Sequence, residues 1–447
     1  MRNWKRNIGI AVLIFGIMVF LPLLIPTKSY LKQLEVAISD QINQPVRIES
    51  LYLSILPTPR IKIKGFVMGS EDDLVVPEIE VIPDVLTLLS KKIVISELDV
   101  EEPIVKQSAI NFIKEKLTEK RPRQSASYSF ELHNIVFNRM KLIWPNVNLM
   151  PISIKMHLDD DFNLVSLEGN SDNNDLHLNV LSDHDSFLIK LGAENWQLPY
   201  GKGINFDNLN ALMVFQGDAL DIKQFKAKIF DGTLDLHAGI NWRKDWQCHG
   251  KFNTDHLSTQ KLFSVITASA SPLSGFLSGA GSFESESNHP NDLLNRLKLR
   301  MRFNVEDGVL HGVDLLNAAK LIMKQNQSND ETKFDEFSGD FDMASQQYNF
   351  NDLNVSSGLL EAKGYVKVSP VKSLDGEVKV SFKRSVTLTE IPLRVSGTVS
   401  HPVVLPTKSA MAGAVAGTAL LGPGLGTSIG IKASEATKKL EKFFGSQ

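Results

Sequence analysis

The sequence predicts a mainly β protein, a long antiparallel meander carried behind an N-terminal membrane helix. Three observations support this. Apolar and polar residues alternate through most of the chain, the period of a strand with one greasy face. The alternating runs are short and are separated by Asn, Asp and Gly. Finally, Ile8 to Ile25 is an uncharged stretch of eighteen residues, just long enough to cross a bilayer as a helix at about 1.5 Å per residue.

Arg2, Lys5 and Arg6 precede that stretch. By the positive-inside rule the short N-terminus stays cytoplasmic and everything after Lys28 is translocated. Ile8, Leu13, Phe15, Phe20 and Leu24 are the candidate anchor residues. A cleaved signal peptide shares the basic start and the apolar stretch. The exit, Leu21-Pro22-Leu23-Leu24-Ile25-Pro26-Thr27-Lys28, has no small-x-small cleavage site, which favours an uncleaved anchor.

After the anchor, Leu31, Leu34, Ile38 and Ile42 fall on one face of a helix from about Ser29 to Asn43, which Pro45 stops. The period then changes to two. Leu51, Leu53 and Ile55 form one strand, Pro57-Thr58-Pro59 turns the chain, and Ile61 and Ile63 alternate with Lys62 and Lys64 in the next. Short helices are predicted at Pro83–Ser90 and Ala109–Lys120, before a polar break at residues 121–125. Beyond the break come three clear rows: Leu176/Leu178/Val180, Leu209/Ala211/Met213/Phe215, and Leu234/Leu236/Ala238/Ile240 after an Asp231-Gly232 turn. Residues 267–290, rich in Ser, Gly and Ala, read as turns and a loop. A short helix is predicted near Pro290–Arg296. Leu297, Leu299, Met301, Phe303 and Val305 then form the clearest strand, ended by Asp307-Gly308. A helix over Val313–Lys324 interrupts the sheet, which returns through Val366/Val368 and Val378/Val380/Phe382 to about Val404. Ser409 to Ile431 is a second uncharged stretch, built from Gly and Ala. Gly413/Gly417 and Gly422/Gly426/Gly430 are spaced small-xxx-small, compatible with a packed hairpin or with contact to a membrane or partner.

Taken in order, these features resemble the AsmA family of bacterial envelope proteins, part of a wider group of bridge-like lipid-transfer proteins. At the N-terminal end the resemblance rests on the anchor, the amphipathic helix, Gln44-Pro45-Val46-Arg47-Ile48, Leu56-Pro57-Thr58-Pro59 and Ile82-Pro83-Asp84-Val85-Leu86-Thr87-Leu88-Leu89. At the C-terminal end it rests on Asp307-Gly308-Val309-Leu310-His311-Gly312-Val313-Asp314 and Ile391-Pro392-Leu393-Arg394-Val395-Ser396-Gly397-Thr398-Val399-Ser400-His401-Pro402. The middle is similar in style alone. The resemblance implies an elongated, twisted antiparallel sheet curled into an open apolar groove, with a few short helices. Alternation by itself says only that one sheet face is apolar, and a β-sandwich, which pattern alone favours, gives the same rows. On this reading the chain divides into residues 1–28, the anchor; 29–120, an AsmA-like helix and hairpins; 121–267, a central meander; 268–405, an AsmA-like β region; and 406–447, the Gly/Ala-rich tail.

No motif supports catalytic chemistry, so the chain is expected not to be an enzyme and to need no cofactor. Cys248 is the single cysteine, which excludes an internal disulfide and a Cys-based zinc site. The ten histidines show no metal-ligand spacing. Asp159-Asp160-Asp161 lacks the Gly and Glu that a calcium loop needs, because Leu164 and Asn170 stand there, and it reads as a solvated turn. Gly424 to Lys432 is not a phosphate loop, since Lys432 does not follow a Gly adjacently. A net charge of −3 gives no reason to expect nucleic acid.

Two functions remain. In the first, an inner-membrane, single-pass protein with its bulk in the periplasm handles or conducts phospholipid between the inner and outer membranes, supporting outer-membrane integrity. Freeing a two-chain phospholipid into water costs on the order of 20 kcal/mol at about 0.8 kcal/mol per methylene, and an apolar groove removes most of that. Leu51, Leu53, Ile61, Ile63, Leu234, Leu236, Leu297, Leu299, Met301, Phe303, Val378 and Val380 are the candidate groove residues. The expected partners are phospholipid and the inner membrane, with the tail a candidate for contact with the outer membrane or one of its proteins. In the second, the chain is a non-enzymatic scaffold or assembly factor for outer-membrane biogenesis, and its apolar face is a closed core.

Overall fold

The computed structural model describes residues 27–54, 58–84, 86–87, 92–118, 129–145, 147–199, 203–266, 271–320, 331–383, 390–421 and 431. The anchor residues Ile8, Leu13, Phe15, Phe20 and Leu24 lie outside them. Among the described residues no helix is long and apolar enough to cross a membrane. The fold is mainly β with a few short helices. It forms two compact units, Met1–Gly203 and Ile204–Gln447, a division within the stretch read from sequence as one central meander.

The first unit opens with helix α1 (Thr27–Ile42). Its Leu31, Leu34, Ile38 and Ile42, one face at helical spacing, pack with Val46, Ile48, Met68 and Ala109. Strands follow as β1 (Val46–Arg47), β2 (Ser50–Ser54), β3 (Arg60–Met68), β4 (Leu74–Pro83), β5 (Lys92–Glu101) and β6 (Ile104–Lys106). Helix α2 (Gln107–Thr118) comes next, then β7 (Ser129–Trp144), β8 (Val147–Asn148), β9 (Ile152–Leu158), β10 (Leu164–Ser171), β11 (Leu176–Asp183) and β12 (Ser186–Gln197). The sheet is mixed, which corrects the expected all-antiparallel meander. β5 and β6 both run parallel to β7. The cause is the connection carrying α2, long enough for the crossover that parallel neighbours require. The helix expected over Pro83–Ser90 is not seen in its described part: β4 runs to Pro83, and Leu86 and Thr87 form a turn closed by Thr87 N–H to the Asp84 carbonyl at 3.0 Å.

One cross-strand row explains why these sequences make a sheet with unlike faces. Leu53 opposes Ile61, and the row continues through Val81, Leu98, Ile135, Met156, Leu167 and Val180 to Ile189. Every member is apolar. Apart from Leu53, which is 41% exposed, all are half-buried. That is the state of side chains shielded by their neighbours in a row and not covered from above.

On the other face of β3 to β5, Lys62 donates to Glu78 at 3.1 Å and to Glu80, and Arg60 donates to Glu80 at 2.7 Å. The Lys62 contact holds the Glu80 carboxyl below its usual range. Asp99, across from Glu80, is pushed up, first by burial and then by the charges of Glu97, Glu80 and Glu101. A carboxyl raised in the folded state favours folding only while protonated. Its contribution is present below the unfolded value of about 4 and is lost as pH rises through the folded value. Asp99→Asn is therefore expected to raise the thermal midpoint at pH 7, and thermal melts across pH should show the gain vanish in acid. A midpoint lowered at pH 7 would contradict the assignment.

The second unit is an antiparallel meander of β13 (Asn205–Gln216), β14 (Ala219–Ile229), β15 (Gly232–Asn241), β16 (Trp246–Ser258), β17 (Leu273–Ser287), β18 (Lys298–His311), β19 (Glu331–Ala344), β20 (Gln347–Ser356), β21 (Leu360–Val368), β22 (Leu374–Phe382), β23 (Ile391–Thr398) and β24 (His401–Pro406). Helix α3 (Thr259–Ile266) joins β16 to β17, α4 (Leu315–Lys320) follows β18, and α5 (Lys408–Leu421) follows β24. Residues 273–287, expected as turns and loop, are instead a strand. Its glycines accept a large neighbour: the Phe252 ring overlies Gly281, where an added Cβ would lie 2.7 Å from Phe252 Cζ. Asp307-Gly308 does not end β18 either. Asp307 adopts φ 49°, and the register against β17 shifts there, with Asp307 and Gly308 opposing the single residue Gly275, so the pair is a bulge inside a longer strand. The helix expected at Pro290–Arg296 is a single 3₁₀ turn, Pro290–Asp292.

Here too one apolar row crosses the unit. It runs Ala211, Phe225, Leu236, Phe252, Gly281, Met301, Phe341, Phe350, Val366, Gly376, Val395, Val404. The register neighbours on the other face are polar apart from the small Ala280, as in Lys226, Asp235, Asn253, Arg302 and Asp340. Towards β24 the apolar face is roofed: Leu315, Ala318 and Ala319 of α4, Ala414 of α5 and Ile431 join Val380, Leu393 and Val395 in one core. No described strand of either unit belongs to a second sheet.

Candidate apolar binding cleft

From β15 to β20 part of the apolar face of the second unit stays open and forms a cleft of about 790 Å³, at whose inner margin Phe303 and Val305 of β18 are already buried in the core with α4. Leu234, Leu236, Phe252, Phe283, Met301 and Phe341 are among its floor residues. The aromatic members interlock, with Phe303 edge-on to Phe337 at 5.3 Å and Phe341 tilted against Phe350 at 4.9 Å between ring centroids. Two raised segments at opposite ends of β17 make the walls. One is α3, through Leu262, Phe263 and Ile266; the other is the β17–β18 connection, through Pro290, Leu293, Leu294 and Leu297.

The few polar groups of the lining are turned to the backbone. Thr259 Oγ1 shares its proton between the Leu273 and Gly275 carbonyls, at 3.1 and 3.0 Å, which fastens the start of α3 to β17. Ser285 Oγ donates to the Leu293 carbonyl at 2.7 Å, fastening the other wall. Thr254 Oγ1 donates to the Gly279 carbonyl at 3.3 Å. Cys248 is half-buried in the lining, and burial pushes its thiol up, away from the reactive thiolate. Each hydroxyl proton is thus already committed, and among the described residues no charged side chain lines the cleft. The surface can offer dispersion contacts and exclusion of water to an apolar guest.

The structure sorts the candidate groove residues into three places. Leu234, Leu236, Leu297, Leu299, Met301 and Phe303 all line the cleft. Leu53 and Ile61 lie on the apolar row of the first unit, and Leu51 and Ile63 form the neighbouring cross-strand pair, where Ile63 also packs against the α1 core. Val378 and Val380, 8% and 0% exposed, lie under the helical roof and not in the cleft. Sequence reading passed over Phe252, Phe283, Phe341 and Phe350, and the α3 wall. Their signal was the register, because single strands do not reveal which glycine faces which ring.

One cluster in the first unit has metal-ligand types: Glu131, His133 and Asp160 bring ligand atoms within 4.8 Å of one another. His133 Nε2 stands 3.8 Å from Glu131 and 3.6 Å from Asp160. Next to it, Asp159 accepts from the Asp161 and Asn163 amides at 2.9 and 2.8 Å, which with the Asn163 side chain holds its carboxyl below the usual range. That is a capped, exposed turn.

The AsmA family matches the chain over residues 172–353. The match supports an AsmA-family assignment for this stretch of the chain. The matched span holds β11 to β19 and most of β20, and with them the cleft from Ile229 to Phe350. It includes Asp307–Asp314 but neither the N-terminal segments nor Ile391–Pro402 on which the resemblance also rested. No curated protein and no solved structure matches the chain.

Proposed function

We propose that this AsmA-family chain holds the hydrocarbon tails of phospholipid along its apolar sheet face, as an inner-membrane-anchored, periplasmic, non-enzymatic lipid carrier that supports outer-membrane integrity. The observation that carries the reading is the cleft: a broad, open surface, continuous in register, whose polar groups are all spent on backbone carbonyls. A closed core would not be unroofed over these strands, and a catalytic pocket would hold an uncommitted polar group. Family membership is compatible with this role. An acyl chain laid on the floor gains about 0.8 kcal/mol for each methylene taken from water, while its headgroup remains outside among solvent and rim residues.

The alternation of faces supplies the test. A photoreactive amino acid placed at Leu236 or Met301 of the full chain, irradiated in cell membranes, should yield phospholipid adducts detectable by mass spectrometry. The same residue at Asp235 or Arg302, one position away and on the polar face, should yield none. Equal yields on both faces, or none at Leu236 and Met301, would favour the scaffold reading.

A further inference from the structure

The strands of the second unit alternate direction, so the connections at residues 217–218, 242–245, 288–297, 345–346, 369–373 and 399–400 share one edge of its sheet. That edge carries Leu294 and Val371, 80% and 81% exposed, the most exposed large apolar residues among the described residues of the unit. Each stands beside a cation: Leu294 two residues before Arg296, Val371 immediately before Lys372. A third connection, Trp242-Arg243-Lys244, repeats the pairing. Trp242 is stacked between Phe215 and Trp246, at 6.0 and 5.3 Å, which holds the indole at the edge. The Trp242 and Val371 turns are six strand spacings apart, on the order of 30 Å.

The charges favour an anionic counterpart. Lys244, Arg296 and Lys372 are exposed and have no carboxylate within ion-pairing distance among the described residues; Lys372 lies instead over the Tyr348 ring at 4.6 Å. Arg243 stands 3.9 Å from Asp218. Asp245 and Asp292 are the other carboxylates of these connections. Aliphatic tips, an edge tryptophan and unpaired cations together are the composition that settles at a bilayer interface, where the apolar tip enters the headgroup region and the cation meets lipid phosphate. The edge is also continuous with the cleft, since Pro290, Leu293 and Leu294 form one of its walls.

We propose that this edge docks on an anionic lipid surface and that the Leu293–Leu294 wall is the portal through which an acyl chain passes between bilayer and cleft. The portal role rests on the hydrocarbon-carrying reading of the cleft; the docking does not. The test uses the full chain with Cys248→Ser, so that a single new cysteine can carry an environment-sensitive nitrobenzoxadiazole label. Leu294→Cys and Val371→Cys place it on the proposed edge. Leu359→Cys places it in the β20–β21 turn, on the opposite edge, at an exposed position. In vesicles of phosphatidylcholine with phosphatidylglycerol, labels at 294 and 371 should shift to the blue and be quenched by nitroxide-bearing acyl chains, while the label at 359 is not. Joint reversal of Lys244→Glu, Arg296→Glu and Lys372→Glu should weaken this contact on the order of a hundredfold and leave the thermal midpoint in place. Equal quenching at all three sites, none at 294 and 371, or the same response in phosphatidylcholine alone would overturn the proposal. Phospholipid adducts at Met301 with an unquenched label at 294 would remove the docking and the portal and keep the cleft; quenching at 294 without adducts would keep the docking and remove the cleft reading together with the portal.

Discussion

Replacing Met301 with aspartate should abolish lipid capture while leaving the second unit folded. Met301 sits between Gly281 and Phe341 on the cleft floor and is half-buried. A carboxylate there can reach water through the open side, so folding does not force it into a dry interior. The guest has no such escape. To keep the carboxylate hydrated, an acyl chain must give up its contact over several methylenes; four of them forfeit about 3 kcal/mol, roughly a hundredfold in affinity. Adduct yield from a photoreactive residue at Leu236 should fall accordingly, with the thermal midpoint little changed. If the midpoint collapses instead, Met301 is part of a closed core and the cleft reading is lost.

The faces of this sheet were legible in the sequence because alternation is a local property. Leu299, Met301, Phe303 and Val305 against Arg300, Arg302, Asn304 and Glu306 declare their two sides within one strand. All of these apolar residues line the cleft. The α1 face, Leu31, Leu34, Ile38 and Ile42, was equally local, and it packs as a unit. What alternation does not encode is what lies above a face. Val378 and Val380 carry the same period as Leu299 and Met301. They are buried because α4 and α5 close over them, and those helices come from other parts of the chain.

The misread segments have a common physical origin. Glycine in a single sequence signals a turn, yet Gly279 and Gly281 occupy strand positions whose missing side chains leave room for neighbours, as the Phe252 ring does over Gly281. Asp307 likewise signals a turn, and its positive φ is spent on a bulge within β18. The parallel pairing of β5 and β6 with β7 was hidden for another reason. A helix between strands is visible in the period, but the neighbour to which the chain returns depends on which apolar rows match across the crossover.

Leu393→Ala should destabilise the second unit by about 2–5 kcal/mol, far more than Leu236→Ala, although both leucines belong to the same apolar face. Leu393 is fully buried, paired with Val378 on one side and Pro406 on the other, and covered by the α4 and α5 core. Truncation there leaves a cavity that the roof cannot easily fill. Leu236 is half-buried in the cleft floor, where water or a guest enters the vacated space and the loss is mainly the reduced apolar contact. Chemical denaturation of the two variants of the full chain, followed on the second unit's unfolding transition, measures the difference directly. The comparison bears on function as well as stability, because one sheet face is asked to be a packed core under its helices and an accessible surface beyond them. Equal losses at the two leucines would mean that the floor is as tightly packed as the core, and a lipid carrier would then have no exposed surface with which to work.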